Sequence, residues 1–251
     1  MPSCIRARFG RAGGRPGPAS VIGRAGLLLL GSGIGAAVLG GVVIGVLIGL
    51  GSVPRADAVR AGGLVSIMAS QALLLWFAVR RGRRLGDGCL QAGLGWQPVR
   101  RRRIVAALVG CAVLTPIALA VLVIEVPGVR AFALRTGVGG LADGLGWAAF
   151  AAMAVALVIG APVAEEVFFR GWLWAGLRQS WGVLGTSAAT GALFLLLHLP
   201  NGGWRRAVML LPLTVMLSLA RELGGSVRAS IAVHLANNAV AVAVLALARL
   251  E

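Results

Sequence analysis

The chain has no lysine, and it holds only eight acidic residues and two histidines among 251 positions. All 24 basic residues are arginine, and the net charge is +16. The absence of lysine reads as a codon bias and carries no functional weight. The shortage of acid gives an isoelectric point near 12, a value met in nucleic-acid binders. Here the arginines cluster beside apolar runs, where topology signals sit, so no nucleic-acid partner is expected. Cysteine is equally scarce. Cys4, Cys89 and Cys111 are scattered and form no Cys-x-x-Cys pair, which argues against a disulfide framework and a zinc knuckle. No internal repeat is visible, whereas a small transporter built from two inverted halves would show one.

What the chain has in excess is apolar sequence. It is 58% hydrophobic, against about 45–50% for a soluble domain. Several runs approach or exceed the ~18 apolar residues that cross a bilayer. The fold class is therefore all-α, a polytopic transmembrane helix bundle of about seven spans (six to eight). The spans are expected at 26–51, 63–79, 104–124, 145–164, 183–199, 207–220 and 229–248, the fourth able to continue helically through 177. Residues 1–25 are rich in Gly, Pro and Arg and read as a disordered basic tail. The run that follows is too long for the core of a signal peptide and reads as a retained anchor. Residues 26–144 make the N-terminal transmembrane helices, and 145–250 carry the polar groups described next.

Arginine in short loops sets orientation. Segment 80–103 holds Arg80, Arg81, Arg83, Arg84 and Arg100 through Arg103 against Asp87 alone. It is expected on the cytoplasmic side, in contact with anionic lipid, and Cys89 within it would report its side. The basic tail falls on the same side, 52–62 and 125–144 fall outside, and 165–182 returns to the cytoplasmic face of a plasma-membrane protein. In the first span Gly33, Ala37, Gly41, Gly45 and Gly49 repeat every four residues, a row expected to pack closely against another span of the chain.

Charge is expensive in such sequence, about 2.5–3.5 kcal/mol for an ionisable residue at a helix centre, so its occurrence marks function. Glu165 and Glu166 end a long apolar run at Ala161-Pro162-Val163-Ala164-Glu165-Glu166-Val167-Phe168-Phe169-Arg170. Glu166 and Arg170 are four apart and share a helix face, so they can pair. Glu165 is turned about 100° away and is less easily neutralised, which leaves it available for proton transfer. Pro162 can kink the helix and free a carbonyl. His198 closes the fifth run, with Phe194 on its face. His234 and Asn238 share a face of the last run, and Asn237 points elsewhere. An imidazole and a carboxamide aimed into one bundle can bind a metal or donate to an oxyanion. Each group alone has an ordinary reading as an interfacial charge or a polar interhelical contact.

Their order is more informative. Glu-Glu-x-x-x-Arg, then Phe-x-x-x-His, then His-x-x-x-Asn, each in an apolar segment, resembles the CAAX protease and bacteriocin-processing (CPBP, or Abi) family over about residues 145–248. That resemblance implies a membrane-embedded endopeptidase acting on a peptide or protein substrate, lipidated in some members. It implies that Glu165 activates water with help from His198, that His234 and Asn238 stabilise the oxyanion, and that Glu166 and Arg170 support the site. Two His and one Glu can make a three-ligand zinc site, but the His-Glu-x-x-His motif is absent, so the need for zinc stays open, as does the oligomeric state. The alternatives are a non-catalytic membrane scaffold or bacteriocin-immunity protein of the same family and, further off, a transporter using Glu165 as a proton relay. Other intramembrane protease motifs fit worse. Gly86-Asp87 lacks the preceding Gly of the aspartyl motif, and Gly31-Ser32-Gly33 follows Leu30 where a rhomboid motif has Gly.

Overall fold

The computed structural model describes residues 17–51, 53–86, 88–125, 142, 144–201 and 203–248. The basic tail through residue 16, Asp87 and segment 126–141 lie outside these. The described residues form nine principal helices and no strand: α1 (Pro18–Gly49), α2 (Arg55–Leu85), α3 (Leu90–Leu94), α4 (Arg102–Glu125), α5 (Trp147–Leu177), α6 (Val183–His198), α7 (Gly203–Met209), α8 (Leu211–Gly224) and α9 (Val227–Leu247).

Each expected span coincides with a helix, or with the α7–α8 pair. The span count is approximate. Among the described residues four helices are long and apolar enough to cross a bilayer, α1, α2, α5 and α9, and a fifth is gained if α7 and α8, bent by 44°, form one span. α6 has 16 residues, which reach only about 24 Å of the ~30 Å hydrocarbon core. α1 begins earlier than expected, so its first turns occupy the end of the supposed tail. Pro18 supplies the preset backbone of a first helical position, and Val21 lies over Gly176 of α5.

α1 and α2 make a tight antiparallel hairpin. A methyl on Gly40 would stand 2.6 Å from the Gly62 carbonyl oxygen, and one on Gly62 would stand 2.7 Å from that of Gly40. The packed row on α1 is thus Ser32, Ala36 and Gly40. The row expected to pack, Gly33, Ala37, Gly41, Gly45 and Gly49, is exposed along its whole length. Both rows are small enough for close approach. The rotation is set by the far end of the same face, where Val21 and Ala25 are buried.

The second half of α5 is the axis of the molecule. Val167, Phe168, Phe169, Leu173 and Leu177 are buried with Leu74 and Ala78 of α2, Phe194 of α6, Leu213 and Leu217 of α8, and Val227 and Val233 of α9. A helix apolar on all sides has to be enclosed on all sides. Any polar group on this stretch is therefore held away from lipid. Elsewhere the outer faces are bare apolar surface, as at Leu27, Leu30, Ile34 and Val38 of α1, which suits a hydrocarbon surround.

The start of α9 is well defined. Gly95, in the left-handed conformation that ends α3, accepts the Val227 N–H at 3.1 Å. Ser226 caps α9 by accepting from the Arg228 N–H at 3.2 Å, and its hydroxyl donates to the Gln97 carbonyl.

Candidate active site

α5 is not a uniform α-helix. Two π stretches, Ala156–Gly160 and Val167–Leu173, flank the α segment Ala161–Glu166. Such widened turns gather at functional sites because they re-aim side chains and release carbonyls. Here each stretch has a released carbonyl taken by a side chain from another helix. In the first, the Ala161 N–H bonds the Ala156 carbonyl across five residues. The next donor in that register would be residue 162, a proline with no N–H. The Leu157 carbonyl so freed accepts from Asn238 Nδ2 at 2.9 Å. In the second, the Arg170 carbonyl accepts from Arg221 Nε at 2.7 Å.

The adjacent glutamates have different surroundings. Glu166 is fully buried, and its Oε1 accepts from Arg170 Nη1 at 3.3 Å and from His234 Nδ1 at 2.9 Å. The expected pairing with Arg170 is present, and His234 makes it a triad. Arg170 also faces the ring of Phe194 at 4.8 Å. Among the described residues Glu165 has no arginine partner within salt-bridge distance. Its Oε1 accepts from Gln71 Nε2 of α2 at 3.0 Å, and no hydrogen bond to its Oε2 is found among the described residues.

The two histidines meet around Phe194, whose ring centroid lies 4.6 Å from that of His198 and 5.9 Å from that of His234. Glu165, Arg206 and His234 each lie within electrostatic range of His198, and Glu165 within that of Arg206. A strictly alternating topology would put the histidines near opposite surfaces. Their common contact with Phe194 shows that the fold brings them together instead. His198 Nδ1 contacts the Phe194 carbonyl at 2.8 Å. A carbonyl only accepts, so Nδ1 carries the proton and Nε2 of the neutral ring is a free lone pair. His234 is set the same way, its Nδ1 proton given to the Glu166 carboxylate. In its doubly protonated form it keeps an Nε2–H to donate. Asn238 lies one turn further along α9 and contacts α5 rather than Glu165 or His198. Asn237 does not point elsewhere, because its Nδ2 donates to Asn238 Oδ1 at 3.2 Å. Asn238 thereby retains one N–H.

Three residues of this site were not singled out by the sequence. Gln71 is a lone carboxamide in an apolar run, the same signal that marked Asn238. Arg206 and Arg221 sit among topology-type arginines and carry no distinguishing pattern. Zinc finds no ready site. Among the described residues no three His, Cys, Asp or Glu side chains are grouped to hold a metal. Glu166 Oε1 is already shared by Arg170 and His234, so no step is routed through zinc. Elsewhere, a groove of about 560 Å³ lined by Pro98, Val99, Arg102, Val105, Ala106, Val109 and Arg228 shares no residue with this cluster.

Comparison with known families agrees with the motif order. Residues 147–240 match the family described as Rce1-like, type II CAAX prenyl endopeptidase. No curated protein and no solved structure matches the chain. The match runs from the first turn of α5 into α9, so it includes Glu165, Glu166, Arg170, His198, His234 and Asn238 and leaves out Gln71. The segment that carries the site, about a third of the chain, is thus similar to the Rce1-like family of type II CAAX prenyl endopeptidases.

Proposed function

We propose that the protein is a multi-pass plasma-membrane endopeptidase that hydrolyses a peptide bond in a membrane-associated peptide or protein. The observation that carries this reading is the contrast between the two glutamates. Glu166 is spent on Arg170 and His234, whereas Glu165 is anchored by one oxygen and has the other available, with His198 in electrostatic range. A general base needs that arrangement, a carboxylate fixed in place with a lone pair open to the site.

In the proposed reaction water lies between Glu165 Oε2 and His198 Nε2. Glu165 takes one proton while the other stays hydrogen-bonded to the imidazole, and the water oxygen attacks the scissile carbonyl carbon. The tetrahedral oxyanion is met by the remaining N–H of Asn238 and, when its ring carries a second proton, by Nε2–H of His234. Each such donor is worth about 10²–10³ in kcat in well-studied hydrolases. Collapse breaks the C–N bond, and Glu165 returns its proton to the leaving amine. Glu166 and Arg170 orient and neutralise this assembly without touching substrate.

The buried, lipid-surrounded position of the site suits a peptide tail delivered from the membrane or its cytoplasmic face. A prenyl group on that tail is one form such a substrate can take. The test uses the full chain purified in detergent with quenched-fluorescence peptides, including C-terminal tails with and without a prenylated cysteine. Cleavage by wild type that is lost in Glu165→Ala, with unchanged thermal unfolding, is the expected result. Undiminished cleavage by Glu165→Ala would refute the mechanism. A wild type inert towards the whole library would make a scaffold or immunity protein the better reading.

A further inference from the structure

Gln71 stands outside the matched family segment, on a helix with no motif, yet it is hydrogen-bonded directly to the proposed base. Its Nε2 donates to Glu165 Oε1 at 3.0 Å, while its own Oε1 is buried and has no hydrogen-bond partner among the described residues. The assignment of the two ends is forced by chemistry. An ionised carboxylate only accepts, so the NH₂ faces Glu165 and the carbonyl is left over. Both heteroatoms belong to one planar carboxamide, so the orphaned carbonyl is held in the same site as the carboxylate. A buried acceptor without a donor is unfavourable and calls for an explanation. A bound peptide brings N–H donors at almost every residue.

We infer that Gln71 is a bridge between the base and the substrate: its NH₂ aims Glu165, and its carbonyl accepts a hydrogen bond from a backbone N–H of the bound peptide. The bridge fixes the distance between the carboxylate and the scissile bond, so that binding of the peptide main chain and aiming of the base are one event. It rests on the endopeptidase reading. It adds a recognition element for peptide backbone supplied by α2. Of the neighbouring acceptors, Glu166 Oε1 holds Arg170 and His234 and the Leu157 carbonyl holds Asn238; Glu166 Oε2 also lacks a partner among the described residues, but it belongs to the fully buried carboxylate of the Arg170–His234 triad.

The test takes the library peptide cleaved fastest by wild type and prepares it with one backbone amide N-methylated at a time. Wild-type protein is compared with Gln71→Leu, and with Gln71→Met should the leucine variant fold poorly. Both replacements are apolar in an apolar helix, so the melting temperature should be unchanged. Gln71→Leu should lower kcat/KM roughly 10- to 100-fold, the range for losing a hydrogen bond to a charged group together with a neutral one. In wild type one N-methyl position should cost about tenfold more than the others, and that extra penalty should vanish in Gln71→Leu. A merely structural role for Gln71 would not produce this coupling. If wild type cleaves and the variant matches it, or if the penalties in the two proteins run parallel at every position, the bridge is refuted while the endopeptidase reading stands. A wild type that cleaves no peptide removes both.

Discussion

Replacing Glu166 by alanine should be far more damaging to the folded state than replacing its neighbour, and the difference can be estimated. Glu166 Oε1 serves Arg170 and His234 together, at 3.3 and 2.9 Å, and both Glu166 and Arg170 are wholly buried. Arg170 Nε and Nη2 already lack hydrogen-bond partners among the described residues, so little else there compensates the guanidinium. The Phe194 face at 4.8 Å offers cation–π attraction of about 2 kcal/mol when desolvated, less than the loss. Breaking a buried pair from one side costs about 3–5 kcal/mol. At ~2–4 °C per kcal/mol for a chain of this size, Glu166→Ala should melt roughly 6–20 °C below wild type. Glu165→Ala strands only a half-buried carboxamide and should melt within a few degrees of wild type. Glu166→Ala combined with Arg170→Met, which removes the orphaned charge and keeps most of the volume, should recover much of the loss. The assay is thermal unfolding in detergent followed by tryptophan fluorescence. Equal melting temperatures for the two alanine variants, or no recovery in the double variant, would show that the triad does not hold this core together.

Asn238→Leu removes the donor to the Leu157 carbonyl, which has no backbone N–H to fall back on, so stability should fall by about 1–2 kcal/mol, the upper part of the range for interhelical bonds in membranes. Its kcat should fall roughly 10²- to 10³-fold if its other N–H meets the oxyanion, and equal loss of kcat from Asn237→Leu would count against that assignment. Gly62→Val should push α1 from α2 at Gly40 and lower the melting temperature measurably, whereas Gly41→Val on the exposed row should not. The side of loop 80–103 is best read at an introduced cysteine, because native Cys89 is buried and contacts Gln91 at 3.0 Å. Ala92→Cys in a background lacking Cys4, Cys89 and Cys111 should escape an impermeant maleimide in intact cells and react after permeabilisation; labelling of intact cells would invert the topology. Cleavage is expected to survive 1,10-phenanthroline, since the donors are not grouped for a metal, and a loss reversed by added zinc would overturn that expectation.

Much of this was readable from residue order, because membrane sequence makes polar groups conspicuous. The i, i+4 spacing of Glu166 and Arg170 foretold their pairing, and Pro162 foretold a released carbonyl, since both follow from local helix geometry. The partners were not readable. Gln71 and Glu165 are 94 residues apart, and no periodicity relates them. The row on α1 that packs could not be told from the one beside it, since Gly33-Ala37-Gly41 and Ser32-Ala36-Gly40 differ by 100° and are equally small. The meeting of His198 and His234 around Phe194 rests on tertiary packing of three helices, which a hydropathy pattern does not contain.

The missing N–H of Pro162 has a mechanical consequence for α9. Apolar helices surrounded by lipid can slide along one another with little change in free energy, since Val, Ala and Leu are nearly interchangeable at a contact. α9 is indexed instead by two teeth four residues apart, Asn238 in the notch at Leu157 and His234 on Glu166. The proline opens the notch, and the π turns on either side of Ala161–Glu166 set the pitch between notch and carboxylate. A slip of one helical turn would disengage both teeth at once. The imidazole is therefore presented at a single height, set by an atom that proline does not have.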